Sequence, residues 1–180
     1  QELFTLDLQR QALLMLKKAA PNGVVKDFIF DLPSGLEVAL TFDPESKTCS
    51  VVFRGSSETA DWCVDFLLWK TTLHDAVRVH FGFFHQLTAD GSFDRLLKGI
   101  QSIIEECPDV RIYSIGHSLG GGLCTLFGYM LSRELPETKS INVIAFAAPR
   151  VGNRPFREAC RNQPNLEIIR VANENDPVTA

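Results

Sequence analysis

The chain has 180 residues, 45% of them hydrophobic and 22% charged, and its formal net charge is −4. This length builds one sizeable core, so a single domain over residues 1–180 is expected. The acidic balance comes without the basic stripe that binding nucleic acid requires, and it gives no attraction to an anionic membrane.

Residues 3–20 read as a helix whose apolar face carries Leu3, Leu6, Leu13, Leu14 and Leu16, and Pro21-Asn22-Gly23 ends it. Leu13-Leu14-Met15-Leu16, between Arg10 and Lys17-Lys18, is too short for a signal-peptide core, and no apolar run approaches bilayer-spanning length. The first residue is Gln1 rather than Met, which fits a start that was processed or cut. Segments 28–32 and 35–42 read as two strands with Pro33-Ser34-Gly35 as the turn, the second alternating like a half-buried antiparallel strand. Residues 48–53 form the next strand. Residues 92–107 give the clearest helix, with Phe93, Leu96, Leu97, Ile100, Ile103 and Ile104 on one face. A strand over 110–115, a helix after Ser118, a buried strand over 141–147, a short helix over 153–162 and a strand over 167–172 follow. A meander that gives way to alternating helices and strands predicts an α/β fold with a mixed, mostly parallel sheet and helices on both faces. Sites in such sheets form beyond the carboxyl ends of the strands, here near Phe53, Ile115, Phe146 and Ala172.

One of those ends is Gly116-His117-Ser118-Leu119-Gly120, flanked by an apolar strand and a helix with Leu123, Leu126, Phe127, Met130 and Leu131 at helical spacing. Strand, sharp Gly-Ser-Gly turn and helix form the context in which this pentapeptide presents a nucleophilic serine. The helix N-terminus beneath it carries free N–H groups and partial positive charge, which favour a developing oxyanion. The other strand ends supply Phe53-Arg54-Gly55-Ser56, Ala148-Pro149-Arg150-Val151-Gly152-Asn153 and Asn173-Glu174-Asn175-Asp176-Pro177-Val178. Ser56 and Leu119 are candidate oxyanion donors, and Asp176 is the candidate acid, after the serine in chain order. Arg150 reads as structural. Taken alone, Gly55-Ser56 is an ordinary strand-to-loop turn and Asp176 an ordinary turn aspartate before proline.

Together these motifs resemble the class 3 (fungal-type) triacylglycerol lipase family of α/β-hydrolases, in register from about Asp27 to the last residue. The match comprises Val51-Val52-Phe53-Arg54-Gly55-Ser56, Asp61-Trp62 with Asp65, Val79-His80-Phe81-Gly82-Phe83, Gly116-His117-Ser118-Leu119-Gly120-Gly121, Ala148-Pro149-Arg150-Val151-Gly152-Asn153 and Asn175-Asp176-Pro177-Val178. The resemblance implies an α/β-hydrolase fold whose C-terminal part is missing here. It implies Ser118 as nucleophile, Asp176 as acid, and Ser56 with Leu119 as oxyanion hole. It also implies hydrolysis of carboxylic esters, typically acylglycerols, with no cofactor and no metal. Residues 57–69 would form or border a lid, with Trp62, Phe66 and Trp69 at helical spacing. Such a lid would touch a lipid interface transiently and open there, although the same pattern also fits a surface helix packed on the core.

A serine needs a positioned base, and the family's histidine follows the acid. The histidines here are His74, His80, His85 and His117, all before Asp176, and the chain ends at Ala180. His117 is expected to point inward or sideways, away from Ser118. His80 matches a family position other than the base, and His74 and His85 read as surface or helix residues. Thr179 stands where the family usually has proline. Two readings stay open: a truncated hydrolase with its histidine downstream, which is favoured, or a lipase-like binding or signalling domain without catalysis. The cysteines Cys49, Cys63, Cys107, Cys124 and Cys160 are odd in number and have no CxxC spacing. They lean towards a reducing, cytoplasmic compartment with secretion left open, and Cys49 and Cys124 read as core residues.

Overall fold

The computed structural model describes residues 24–31, 35–55 and 69–172. The helix expected over residues 3–20 lies outside them. The sequence alternates β1 (Val24–Asp31), β2 (Leu36–Asp43), β3 (Thr48–Phe53), β4 (Lys70–His74), β5 (Val77–His80), α1 (Phe81–Thr88), α2 (Ser92–Glu106), β6 (Arg111–His117), α3 (Leu119–Glu134), β7 (Ile141–Phe146), α4 (Arg154–Asn162) and β8 (Leu166–Val171).

Six strands form one sheet in the order β1-β2-β3-β6-β7-β8. The first three pair antiparallel, and β3, β6, β7 and β8 run parallel. β3 is therefore the junction between the two halves. The strand positions expected from sequence hold to within a few residues. β1 begins earlier, at Val24, and β6 runs on through Gly116 to His117.

The core sits between the sheet and the two long helices. Leu40, Val51, Phe53, Ile112 and Val143 face it from the strands, and Leu96, Ile100, Leu123 and Phe127 from α2 and α3. These positions alternate along each strand, as the pleat requires, and recur at helical spacing along α2 and α3. The Phe127 ring packs on Phe53 and Phe93 with centroids 5.3 and 5.6 Å away. Cys49 and Cys124 are fully buried here, as the sequence suggested.

The hairpin β4–β5 and helix α1 are additional to the sequence reading. The hairpin forms its own two-stranded sheet beside α3. His74 Nε2 lies 2.8 Å from the Tyr129 hydroxyl at one end. At the other, β5 runs straight into α1. The loop after β7 ties the hairpin down: Val151 accepts the His80 N–H at 2.8 Å, Asn153 donates its own N–H to Arg78 at 2.9 Å, and Gly152 bridges Val79.

Asn153 does three further tasks. Its Oδ1 caps α4 by accepting the Phe156 N–H at 3.0 Å and also accepts the Arg78 N–H at 3.1 Å, while its Nδ2 donates to the Ala76 carbonyl at 2.9 Å. Asn153→Ala should destabilise the fold by about 3 kcal/mol, a cap plus two further bonds. Asn153→Asp keeps the acceptor and should recover about half of that loss. Urea unfolding curves of the three proteins provide the check.

Candidate active site

Ser118 sits between the end of β6 and the start of α3, with φ 54° and ψ −121°. A positive φ with a Cβ is strained. The strain is held by hydrogen bonds on both sides. The Ser118 N–H donates to Phe146 at 2.9 Å, and the Ser118 carbonyl accepts from Gly121 at 2.9 Å and Gly122 at 3.2 Å. Ala147, at the end of the neighbouring strand, also has a positive φ of 47°.

Glycines make the turn possible by removing bulk. A Cβ on Gly116 would collide with the Gly120 carbonyl. One on Gly120 would lie 2.5 Å from the Phe53 oxygen, and one on Gly55 2.6 Å from the His117 oxygen. The end of β3 and the turn after β6 thus interlock, backbone on backbone. Arg54, between these contacts, is anchored to β2: its N–H donates to the Glu37 carbonyl at 2.9 Å and its guanidinium holds the Glu37 carboxylate at 2.5 and 2.6 Å.

Ser118 is 8% exposed, so its hydroxyl environment is largely desolvated. Leu119 opens α3, and among the described residues no backbone carbonyl accepts its N–H. A free donor at a helix start, next to a shielded hydroxyl, is an arrangement that binds negative charge forming on an oxygen.

Of the other sequence candidates, Ser56, Trp62, Phe66 and Asp176 lie outside the described residues. Trp69 stands just before β4, outside any helix, and is 76% exposed. Its carbonyl accepts the N–H of Phe81, a second exposed aromatic residue, at 2.9 Å. Arg150 is exposed.

The histidines are accounted for individually. His117 is exposed, so its ring is not turned into the core. His85 is exposed with its ring 5.5 Å from Phe81. His74 bonds Tyr129 and lies 3.2 Å from Asp75. His80 is buried and accepts the Gly82 N–H on Nδ1 at 3.2 Å; burial, with the nearby Lys70 charge second, lowers its pKa. Among the described residues no group of three His, Cys, Asp or Glu side chains could hold a metal. Cys49, Cys107, Cys124 and Cys160 are free thiols, and burial pushes Cys49, Cys124 and Cys160 up to about 12.

The family model for class 3 lipases matches residues 50–180. The chain belongs to the class 3 lipase family. It is 30% identical over 154 residues to the chloroplastic phospholipase A1-Ialpha2 of Arabidopsis thaliana, covering 72% of this chain and 31% of that protein. It is 28% identical over 167 residues to the secreted alkaline triacylglycerol lipase of Penicillium cyclopium, covering 84% and 57%. Among solved structures, the triacylglyceride lipase of Rhizomucor miehei superposes with a TM-score of 0.79 at 24% identity, over 89% of this chain and 61% of that one. This lipase-family chain therefore spans about a third to a little over half of these curated relatives. The fold is that of the α/β-hydrolase lipases. The relatives are named as chloroplastic or secreted, so the cytoplasmic leaning from the cysteines finds no support among them. Among the described residues no helix is long and apolar enough to cross a membrane.

The lipase-family interlock makes a specific demand. Gly120→Ala pushes a methyl against main chain and should cost about 2–3 kcal/mol. Gly99→Ala places its methyl 2.6 Å from the tip of Leu40, which can rotate, and gains helix propensity. It should stay within about 1 kcal/mol of the parent. Thermal melting of both variants separates the two cases.

Proposed function

We propose that this chain carries the nucleophile of a serine hydrolase that cleaves carboxylic esters of acylglycerols or related lipids through an acyl-enzyme at Ser118. The observation that carries the reading is the strained Ser118 turn beside the Leu119 N–H, which no backbone carbonyl of the described residues accepts. The relatives named as phospholipase A1 and as triacylglycerol lipase support a lipid ester as the substrate class.

Ser118 Oγ attacks the ester carbonyl as a histidine base takes its proton. That histidine lies outside the 180 residues in this reading, and Asp176 orients it. The N–H groups of Leu119 and Ser56 hold the oxyanion of the tetrahedral intermediate. Collapse expels the alcohol, which takes the proton from the imidazolium. Water, deprotonated by the same imidazole, then attacks the acyl-enzyme and releases the carboxylic acid. No metal or cofactor takes part in this scheme.

Fluorophosphonate labelling of the protein as its gene encodes it, read by mass spectrometry, tests the assignment. Ser118 should label stoichiometrically. Ser118→Ala should abolish labelling and turnover with the fold intact, and Asp176→Asn should slow both by about 10⁴, the cost of a misoriented imidazole. A folded protein whose serine stays unlabelled would instead be a lipase-like binding domain.

Residues 57–69 form the lid of this site in the same reading, with Trp62, Phe66 and Trp69 meeting the lipid surface. The exposed Trp69 beside Phe81 supports an apolar rim. Hydrolysis should rise abruptly above the solubility limit of a short-chain triacylglycerol, and Trp62→Ser should flatten that rise. A smooth saturation curve for the parent protein would count against the lid.

A further inference from the structure

His80 is buried, titratable and unused by the scheme above, and it sits in the motif Val79-His80-Phe81-Gly82-Phe83. It is the N-cap of α1. Its Nδ1 accepts the Gly82 N–H at 3.2 Å, so the neutral ring carries its proton on Nε2. Its own N–H donates to Val151 in the loop after β7. Its ring lies 4.8 Å, centroid to centroid, from that of Phe83. The Phe83 ring fills the space that a side chain at position 122 would need: a Cβ on Gly122 would lie 2.6 Å from the ring tip. Gly122 in turn donates its N–H to the Ser118 carbonyl. A continuous line of contacts therefore runs from His80, through Phe83, to the first turn of α3.

We propose that His80 is a positioning residue for the oxyanion-binding turn. By capping α1 it fixes Phe83, and Phe83 presses the first turn of α3 into the place where the Leu119 N–H meets the developing charge. The catalytic half of this proposal rests on the reading of Ser118 as nucleophile, whereas the mechanical half does not. A donor displaced by a fraction of an ångström loses much of its worth in the transition state and little in the ground state. The consequence therefore falls on kcat and spares KM. His80 is buried, so it acts through Phe83 and the turn rather than from solvent.

The experiment uses the full-length protein and reads two quantities. Hydrogen exchange of the Gly121 and Gly122 amides reports the turn directly, whether or not the protein hydrolyses anything. Steady-state kinetics on a short p-nitrophenyl ester report catalysis. His80→Leu should speed exchange at Gly121 and Gly122 about tenfold while leaving the last turn of α3 unchanged. It should lower kcat about tenfold at unchanged KM. His80→Asn keeps a capping oxygen and should restore both. Gly122→Ala alone pushes on the Phe83 ring and should mimic His80→Leu. Combined with Phe83→Leu, which makes room for the methyl, it should return towards the parent, and this pair decides the matter if His80→Leu does not fold.

Unchanged exchange in His80→Leu overturns the proposal, as does faster exchange with normal kcat. Additive losses in the Gly122 and Phe83 double variant overturn the route through Phe83. If the parent protein neither labels nor hydrolyses, the reading of Ser118 fails, and exchange alone decides the mechanical link.

Discussion

The site depends on a backbone interlock between the end of β3 and the turn after β6. Gly55 and Gly120 let two main chains approach to a distance that any side chain would forbid. The cost of that approach is the loss of two side chains from a region that could have been packed. The return is geometric. The peptide units at the end of β3 and at the start of α3 are held at a fixed separation, as the proposed oxyanion site requires. Arg54 braces the β3 side against β2 through Glu37. The parallel hydrogen bonding of β3 with β6 fixes the register of the two ends, pairing Phe53 with Gly116.

The interlock also explains why β3 holds a special place in the sheet. Among the described strands it alone has an antiparallel neighbour on one side and a parallel one on the other. The antiparallel meander brings the chain to this point quickly, and the parallel half then supplies crossovers whose helices cover the core. The carboxyl ends of β3, β6 and β7 lie together at one edge as a result, and three of the sequence motifs meet there. The hairpin β4–β5 stands beside α3, joined to it through Tyr129 at one end and through α1 at the other.

Much of this is legible in the sequence itself. The strands at 48–53 and 141–147 and the helix at 92–107 show plain periodicity, because each buries one face against a single neighbour layer. Gly116 and Gly120 around Ser118 announced the turn, since only small residues fit there. The hairpin was missed for a physical reason. Val77 and Val79 alternate as a strand should, but Lys70, Thr71 and Thr72 carry little apolar signal, because β4 lies outside the main sheet and leaves Lys70 and Thr72 exposed. Helix α1 has an apolar run, Phe81 to Phe84, without clean helical spacing, and its start depends on a histidine cap that propensity rules rank low. The role of Asn153 was hidden as well. An asparagine in a loop looks alike whether it makes one hydrogen bond or four, and only the fold brings Ala76 and Arg78 to it.

The backbone of Ser118 carries a final implication. A φ of 54° with ψ of −121° is a conformation that glycine adopts freely and serine does not. Ser118 is therefore the wrong residue for its position by the criterion of folding alone, at a cost on the order of 1–2 kcal/mol. Selection for stability and selection for a hydroxyl at this place pull in opposite directions. A lineage released from the need to react would be free to exchange the serine for glycine and become sturdier. The proposed role of the Ser118 hydroxyl is what would justify bearing that cost.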